Sequence, residues 1–311
     1  RPNPVLSHTR EGIKLARENK VDAILAVGGG SVIDESKAIA AGFYMDDIWA
    51  AFENKFQIEN ALPLFTVLTL SATGSEMNPF AVLTNEEEKK KWAIYGPALF
   101  PVISIIDPSK QMTLPWRQTV NGAVDALSHI MEYYFMGTNE EVTLSINEAL
   151  MNTIIKVTDK LKIDQDDYDS RSELDWAATL ALNGLSGVAL KGGDWATHGI
   201  EHAISALHPE VAHAEGLAIV FPAWIEYNKE LNTSIFKRWA KNVWNSDSVE
   251  SAIQKMKRKY SEWGAPISLS QVGITENEIE ELANIALLGE GLGVLRELNK
   301  QDVISILKIA L

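Results

Sequence analysis

The sequence predicts an α/β domain over residues 1–110 followed by an all-helical domain over residues 111–311. Two observations carry this. Before about Lys110, short apolar runs end in turns of glycine and small hydroxyl residues and alternate with helical periodicity, as strands feeding helices do. From Trp116 onward only the 3.6-residue period is found. A chain of 311 residues can bury a core in each part.

Residues 1–19 read as a loop followed by an amphipathic helix. A buried strand at 23–27 ends in Gly28-Gly29-Gly30-Ser31, and a helix runs from there to about Ala41. The strand at 64–70 ends in Ser71-Ala72-Thr73-Gly74-Ser75-Glu76. Shorter strands are expected at 81–84, 92–95 and 102–106, the last ending at Asp107-Pro108. Helices are expected at 117–135, 141–161, 172–189, 195–207, 214–228, 235–244, 249–263 and 276–286, with a last one reaching Leu311. The acidic stretch at 164–169 reads as a solvated loop.

Composition excludes several functions. The formal charge of -14 repels nucleic acid and anionic membranes, so neither is expected as a partner. No apolar run has membrane-spanning length and no signal peptide opens the chain, so the expected location is the cytoplasm. The absence of cysteine removes disulfides, thiol nucleophiles and thiolate zinc sites. A metal here would be held by histidine and carboxylate.

The turn at Gly28–Ser31 joins a strand to a helix N-terminus, where unpaired N–H groups and the helix dipole favour a phosphate. The competing reading is a plain tight turn, with Ser31 and Asp34 as a capping-box-like pair. The full Gly-x-Gly-x-x-Gly fingerprint is absent, because position 33 is isoleucine. The second turn, at 69–76, has the same character, and two such turns on one sheet point to a dinucleotide.

The histidines His129, His198, His202, His208 and His213 all lie in the helical part, and His8 sits apart. At ~100° per residue, Asp125, His129 and Glu132 fall within about 60° of one another, opposite Val120, Val124, Leu127, Met131 and Tyr134. His198, His202 and Ser205 share a stripe opposite Ile200, Ile204 and Leu207. Each helix could therefore offer two ligands to one ion. The alternative is that both stripes are solvated faces. Periodicity leaves open whether His202, His208 or His213 completes the set.

With these motifs in order, Gly28-Gly29-Gly30-Ser31-x-x-Asp34-x-x-Lys37, Thr69–Glu76, Asp125-Ala126-Leu127-Ser128-His129 and Asp194-Trp195-Ala196-Thr197-His198-x-x-x-His202 followed by His213, the chain resembles the iron-containing (group III) alcohol dehydrogenase family, its butanol-dehydrogenase-like branch above all. The resemblance implies a dehydroquinate-synthase-like architecture: an α/β dinucleotide-binding domain, then an all-α metal-binding domain. It places the metal ligands on Asp125, His129, His198 and His213 and puts His202 beside the substrate, which makes His202 the candidate catalytic residue for relaying the proton to solvent. It places Gly29, Gly30, Ser31 and Asp34 in the pyrophosphate turn, Thr69, Leu70 and Thr73 in a second cofactor-contacting segment, and Lys91 near the cofactor ribose. Read without the resemblance, Lys91 ends a solvated charged run at 86–91, and His208 is a surface residue.

The implied cofactors are a divalent metal, Fe²⁺ or Zn²⁺, and a nicotinamide dinucleotide, NADP(H) ahead of NAD(H). The implied reaction moves a hydride between a primary alcohol or aldehyde and the nicotinamide, the metal acting as Lewis acid. A homodimer is expected. The spacing from His198 to His213 is one residue longer than other branches show, read as a loop insertion. The chain opens with Arg1 rather than methionine, and family members begin with additional strands that choose between NAD and NADP. A missing N-terminus is therefore expected, with an exposed sheet edge and apolar surface, and activity is assigned to the complete protein.

Three other readings compete. A glycerol-dehydrogenase-type or dehydroquinate-synthase-type enzyme shares the fold, but the Asp-x-x-x-His pair and the Trp-Ala-Thr-His segment favour the alcohol dehydrogenase branch. Metal-assisted hydrolysis would use Glu132 or Glu201 as general base and leaves both glycine turns unexplained. A non-catalytic helical protein would have its histidines on solvated faces.

Overall fold

The α/β part of the computed structural model, which describes residues 3–289 and 291–311, carries β1 (Ile24–Gly29), β2 (Leu64–Leu70), β3 (Phe80–Asn85), β4 (Lys90–Tyr95) and β5 (Ile103–Ile106). Arg1 and Pro2, where the opening loop was expected to start, lie outside the described residues. Strands β1, β2 and β5 form a parallel sheet in the order β1-β2-β5, while β3 and β4 pair as an antiparallel hairpin. Ile24 lies opposite Leu64, Val27 opposite Val67, and Phe65 opposite Ile103. A bulge between Gly28 and Gly29 sets Gly28 against Leu68 and Gly29 against Leu70. Both glycine-containing turns therefore leave the carboxyl ends of neighbouring parallel strands side by side, the end at which open α/β sheets bind ligands.

Helix α1 (Leu6–Glu18) packs on α2 (Gly30–Gly42). Ile33 of α2 closes a small core with Ala26, Leu64 and Leu68. The strand at 23–27 is not buried on both faces as expected. Leu25 and Val27, with Ile103 and Ile105, are 63%, 56%, 58% and 53% exposed, because α2 covers only the side reached by the alternate residues. A helix the sequence did not reveal, α3 (Trp49–Asn54), is too short for periodicity to register. It is held by Trp49, whose ring stacks on Phe52 and on Trp92 of the hairpin.

The second part contains α4 (Trp116–Tyr134), α5 (Glu141–Ile163), α6 (Tyr168–Leu182), α7 (Ala196–Leu207), α8 (His213–Asn228), α9 (Thr233–Asn242), α10 (Val249–Trp263), α11 (Ile279–Ala286) and α12 (Lys300–Ile309). Their apolar stripes meet in one core, with Phe135 stacked on Phe236 and flanked by Trp224 and Trp239. Helix α6 differs from the expected 172–189. It starts at Tyr168, so Asp169 belongs to its first turn, and it stops before Gly184, whose φ of 104° no helix continues. No helix among the described residues is long and apolar enough to cross a membrane.

Three contacts lock the second turn to the helical part. Ser71 Oγ donates to Asp175 Oδ1 at 2.8 Å, Gln111 Nε2 donates to Ser71 Oγ at 2.8 Å, and Thr179 Oγ1 donates to Glu76 Oε1 at 2.6 Å. Burial pushes the Asp175 carboxyl up from its ordinary 3.8 to about 7, helped by the charges of Glu76 and Asp107 and opposed by the Ser71 bond and Arg171. The native state then holds a proton that the unfolded chain has already lost, so this group's contribution to stability is present at low pH and is lost as pH rises through about 7. Asp175→Asn keeps the shape and removes that loss. Thermal melts at pH 5 and pH 8 are expected to show the variant gaining on the wild type at the higher pH. An equal offset at both values would show that Asp175 does not titrate there.

Candidate metal centre

The stripe Asp125–His129–Glu132 of α4 is not solvated. These side chains turn inward and are 2%, 5% and 1% exposed, and His198 of α7 is 7% exposed. Helix α7 packs on α8, and α8 on α4, which brings the first residue of α8, His213, to the same place. Asp125, His198 and His213 each offer one ligand atom, and these atoms lie within 4.8 Å of one another. His129 stands beside them, its ring 4.9 Å from that of His198 and its Nδ1 3.9 Å from Asp125 Oδ2. Thus His213 completes the cluster around Asp125 and His198, the choice that periodicity left open.

Three polar atoms at this point are buried and have no hydrogen-bond partner: Asp125 Oδ1, His129 Nδ1 and His198 Nε2. Unpaired buried polar atoms are costly, and three together on predicted ligands fit a bound cation. Imidazole and carboxylate are the donors expected for Fe²⁺ or Zn²⁺. Burial pulls the His129 imidazole down to about 4, so it is neutral at physiological pH, as a ligand must be.

Two carboxylates back the histidines. Glu132 Oε1 lies 2.6 Å from His198 Nδ1, and Glu201 meets His213 Nδ1. Lys91, at the end of β4, is buried rather than solvated. Its Nζ lies 3.3 Å from Glu201 Oε2, 3.2 Å from Ser205 Oγ and 3.2 Å from His213 Nδ1. Burial works against the Glu201 charge, but His213 and Lys91 outweigh it and hold the carboxyl well below its ordinary range. A second group of ligand-type atoms, from Glu201, His202 and His213, also lies within 4.8 Å, but the Lys91 ammonium already balances Glu201 there. His202 is half-buried with its ring 5.5 Å from that of His213, and burial and Lys91 keep it neutral. His208 sits apart. It is half-buried rather than on the surface, and pairs with Glu210 and Glu278 at 3.2 and 2.9 Å.

The glycine turns answer to packing as well as to any ligand. A Cβ on Gly30 would lie 2.4 Å from Thr73 Oγ1, and one on Gly29 would lie 3.0 Å from Leu70 Cβ, so the first turn rests directly on the second. Ser31 is half-buried in the first turn of α2, and Thr69 half-buried at the end of β2. The capping-box-like pair of the competing reading does not form. The N-cap of α2 is Gly29, and the Asp34 carboxylate accepts from Ser75 Oγ at 2.6 Å and from the Val82 N–H at 3.0 Å. Asp34 therefore ties the second turn and the hairpin to α2, with its oxygens committed to those donors. Lys37 does the same, its buried ammonium donating to Asn78 O and Phe80 O, both at 2.8 Å.

The sequence placed Glu132 on the stripe of Asp125 and His129, and gave Glu132 and Glu201 a role only as bases for hydrolysis. Both are buried and already bonded: Glu132 by Trp195, Thr197 and His198, Glu201 by Lys91, Ser205 and His213. That burial argues against either one activating a water. Their positions one helical turn from a ligand histidine were the available signal for an orienting role.

Known proteins resemble this chain along its length. The family model for iron-containing alcohol dehydrogenase matches residues 1–108, and that for the Fe-containing alcohol dehydrogenase family, C-terminal, matches residues 119–311. A probable NADH-dependent butanol dehydrogenase of Bacillus subtilis (strain 168) is 40% identical over all of this chain and 82% of its own length. An NADPH-dependent aldehyde reductase of Escherichia coli (strain K12) is 36% identical over 90% of this chain and 75% of its own. The crystal structure of NADH-dependent butanol dehydrogenase A from Thermotoga maritima superposes with a TM-score of 0.97 at 48% identity, over all of this chain and 81% of that one. The chain belongs to the iron-containing alcohol dehydrogenase family.

Proposed function

We propose that this protein is a metal-dependent alcohol dehydrogenase that also runs as an aldehyde reductase, exchanging a hydride between NAD(P) and a primary alcohol or aldehyde of the butanol/butanal type. The observation that carries the reading is the convergence of Asp125, His198 and His213, with buried, unpartnered atoms on Asp125, His129 and His198. These four residues are the proposed ligands. A divalent ion among them, Fe²⁺ or Zn²⁺, supplies Lewis acidity toward a hydroxyl or carbonyl oxygen.

The rest of the work falls to the chain. Gly29, Gly30 and Ser31 at the start of α2 offer N–H groups to the pyrophosphate, with Thr69, Leu70 and Thr73 beside them and Asp34 holding the two turns together. Lys91 is proposed near the cofactor ribose, on the side where β4 meets α7. His202, neutral and half-exposed next to His213, is the proposed relay of the substrate proton to solvent.

The preference for NADP(H) expected from the sequence meets relatives of both kinds. Four named as NADH-dependent butanol dehydrogenases are 37–41% identical, and one named as an NADPH-dependent aldehyde reductase is 36% identical. The test is to purify the full-length protein anaerobically, measure its metal, and follow butanal reduction with NADH and NADPH. About one metal per chain with turnover on either nucleotide supports the reading. Turnover that survives complete metal removal overturns it, and a higher kcat/KM with NADH overturns the NADP(H) preference.

A further inference from the structure

We propose that Glu132 is a positioning residue that presets His198 for the metal and, with the same carboxylate, holds the start of α7 in place. The inference rests on the ligand assignment above. Glu132 is 1% exposed and follows His129 by one turn on the inward stripe of α4. Among the described residues, every donor its carboxylate meets comes from one short segment. Oε1 lies 2.6 Å from His198 Nδ1 and accepts the Thr197 hydroxyl, and Oε2 accepts the Trp195 N–H at 2.7 Å. The backbone carbonyl of Glu132 accepts the Asp194 N–H at 3.1 Å.

An imidazole whose Nδ1 faces a carboxylate carries its proton on that nitrogen and leaves the Nε2 lone pair free. His198 Nε2 is buried and without a partner beside Asp125 and His213. The carboxylate therefore selects the tautomer that a ligand needs before any ion arrives.

The same residue supports strained backbone. Trp195 has φ 61° and ψ 6°, the left-handed region that an aromatic residue rarely adopts. Its N–H is the one that Glu132 accepts, so the bond that steadies this turn and the contact that aims His198 share one side chain. The Trp195 ring packs edge-on against His198 at 5.2 Å and Tyr133 at 5.4 Å, so the same residue also touches the imidazole directly.

The test compares metal-free wild type with Glu132→Gln, Glu132→Asp and Asp125→Ala. It measures Zn²⁺ affinity by competition with a chelator, the visible spectrum of the Co²⁺-loaded protein, and the melting temperature without metal. Glu132→Gln removes the charge and leaves one acceptor oxygen where three donors converge, its NH₂ facing another donor, and Zn²⁺ affinity is expected to fall about 10–100-fold with a changed Co²⁺ spectrum. Glu132→Asp withdraws the carboxylate by one methylene and is expected to fall between the two. It decides the matter if Glu132→Gln does not fold. Wild-type affinity and spectrum in whichever variant folds would overturn the role of Glu132 and leave the ligand assignment intact. If the wild type binds no more Zn²⁺ than Asp125→Ala does, the ligand assignment itself fails.

Discussion

Asp125→Ala and His198→Ala are each expected to abolish stable metal binding and to lower kcat/KM for butanal reduction by about three orders of magnitude. Lewis-acid stabilisation of a developing alkoxide amounts to several kcal/mol, and about 1.4 kcal/mol corresponds to a factor of ten. Both residues come from the cluster whose ligand atoms lie within 4.8 Å, and both carry an atom with no other partner. Losing either removes a ligand atom, and the neighbouring carboxylates Glu132 and Glu201 are already bonded to His198 and His213. The check is metal content and steady-state kinetics on the same preparations, beside a melting curve that shows the variants folded. Folded, metal-free variants with wild-type turnover would sink the metal mechanism.

Gly122→Ala is expected to be strongly destabilising for the addition of a single methyl group. Gly122 lies on α4, and a Cβ there would stand 2.1 Å from Ser71 O, a backbone atom. That carbonyl cannot easily give way. The Ser71 N–H donates to Gln111 Oε1 at 3.0 Å and its hydroxyl to Asp175 at 2.8 Å. The helix and the turn must therefore separate, at a cost of about 3 kcal/mol, which lowers Tm by roughly 5–10 °C. Because the displaced turn is the proposed second cofactor segment, KM for the nucleotide should rise more than kcat falls. Gly192→Ala is the contrast: it has φ 112° and nothing within 4 Å of the added Cβ, so only backbone strain of about 1–2 kcal/mol is expected there. A Gly122→Ala protein that melts with the wild type would show that α4 and the turn part freely.

How far the sequence reached differs from element to element. β2 was read at its true limits of Leu64–Leu70, and α10 at Val249–Trp263, because apolar periodicity and flanking turns are local signals. The stripes Asp125–His129–Glu132 and His198–His202 were legible for the same reason, as spacing along one helix decides which residues share a face. The glycine turns were legible as turns. The helix at 49–54 was not, being too short to repeat.

What the sequence by itself determined is therefore the order of elements, the residue types available as ligands, and the absence of thiolate among them. Only the tertiary structure decided which side of each stripe is buried, that His213 rather than His202 or His208 meets Asp125 and His198, that Lys91 leaves its charged run to lie against Glu201, and that Glu132 lies against His198 Nδ1. The physical reason is one of range. A helical period relates residues a few positions apart, whereas Lys91, Asp125, His198 and His213 are brought together by how α4, α7, α8 and the β4 strand pack, and that packing is set by apolar surface distributed over the whole chain.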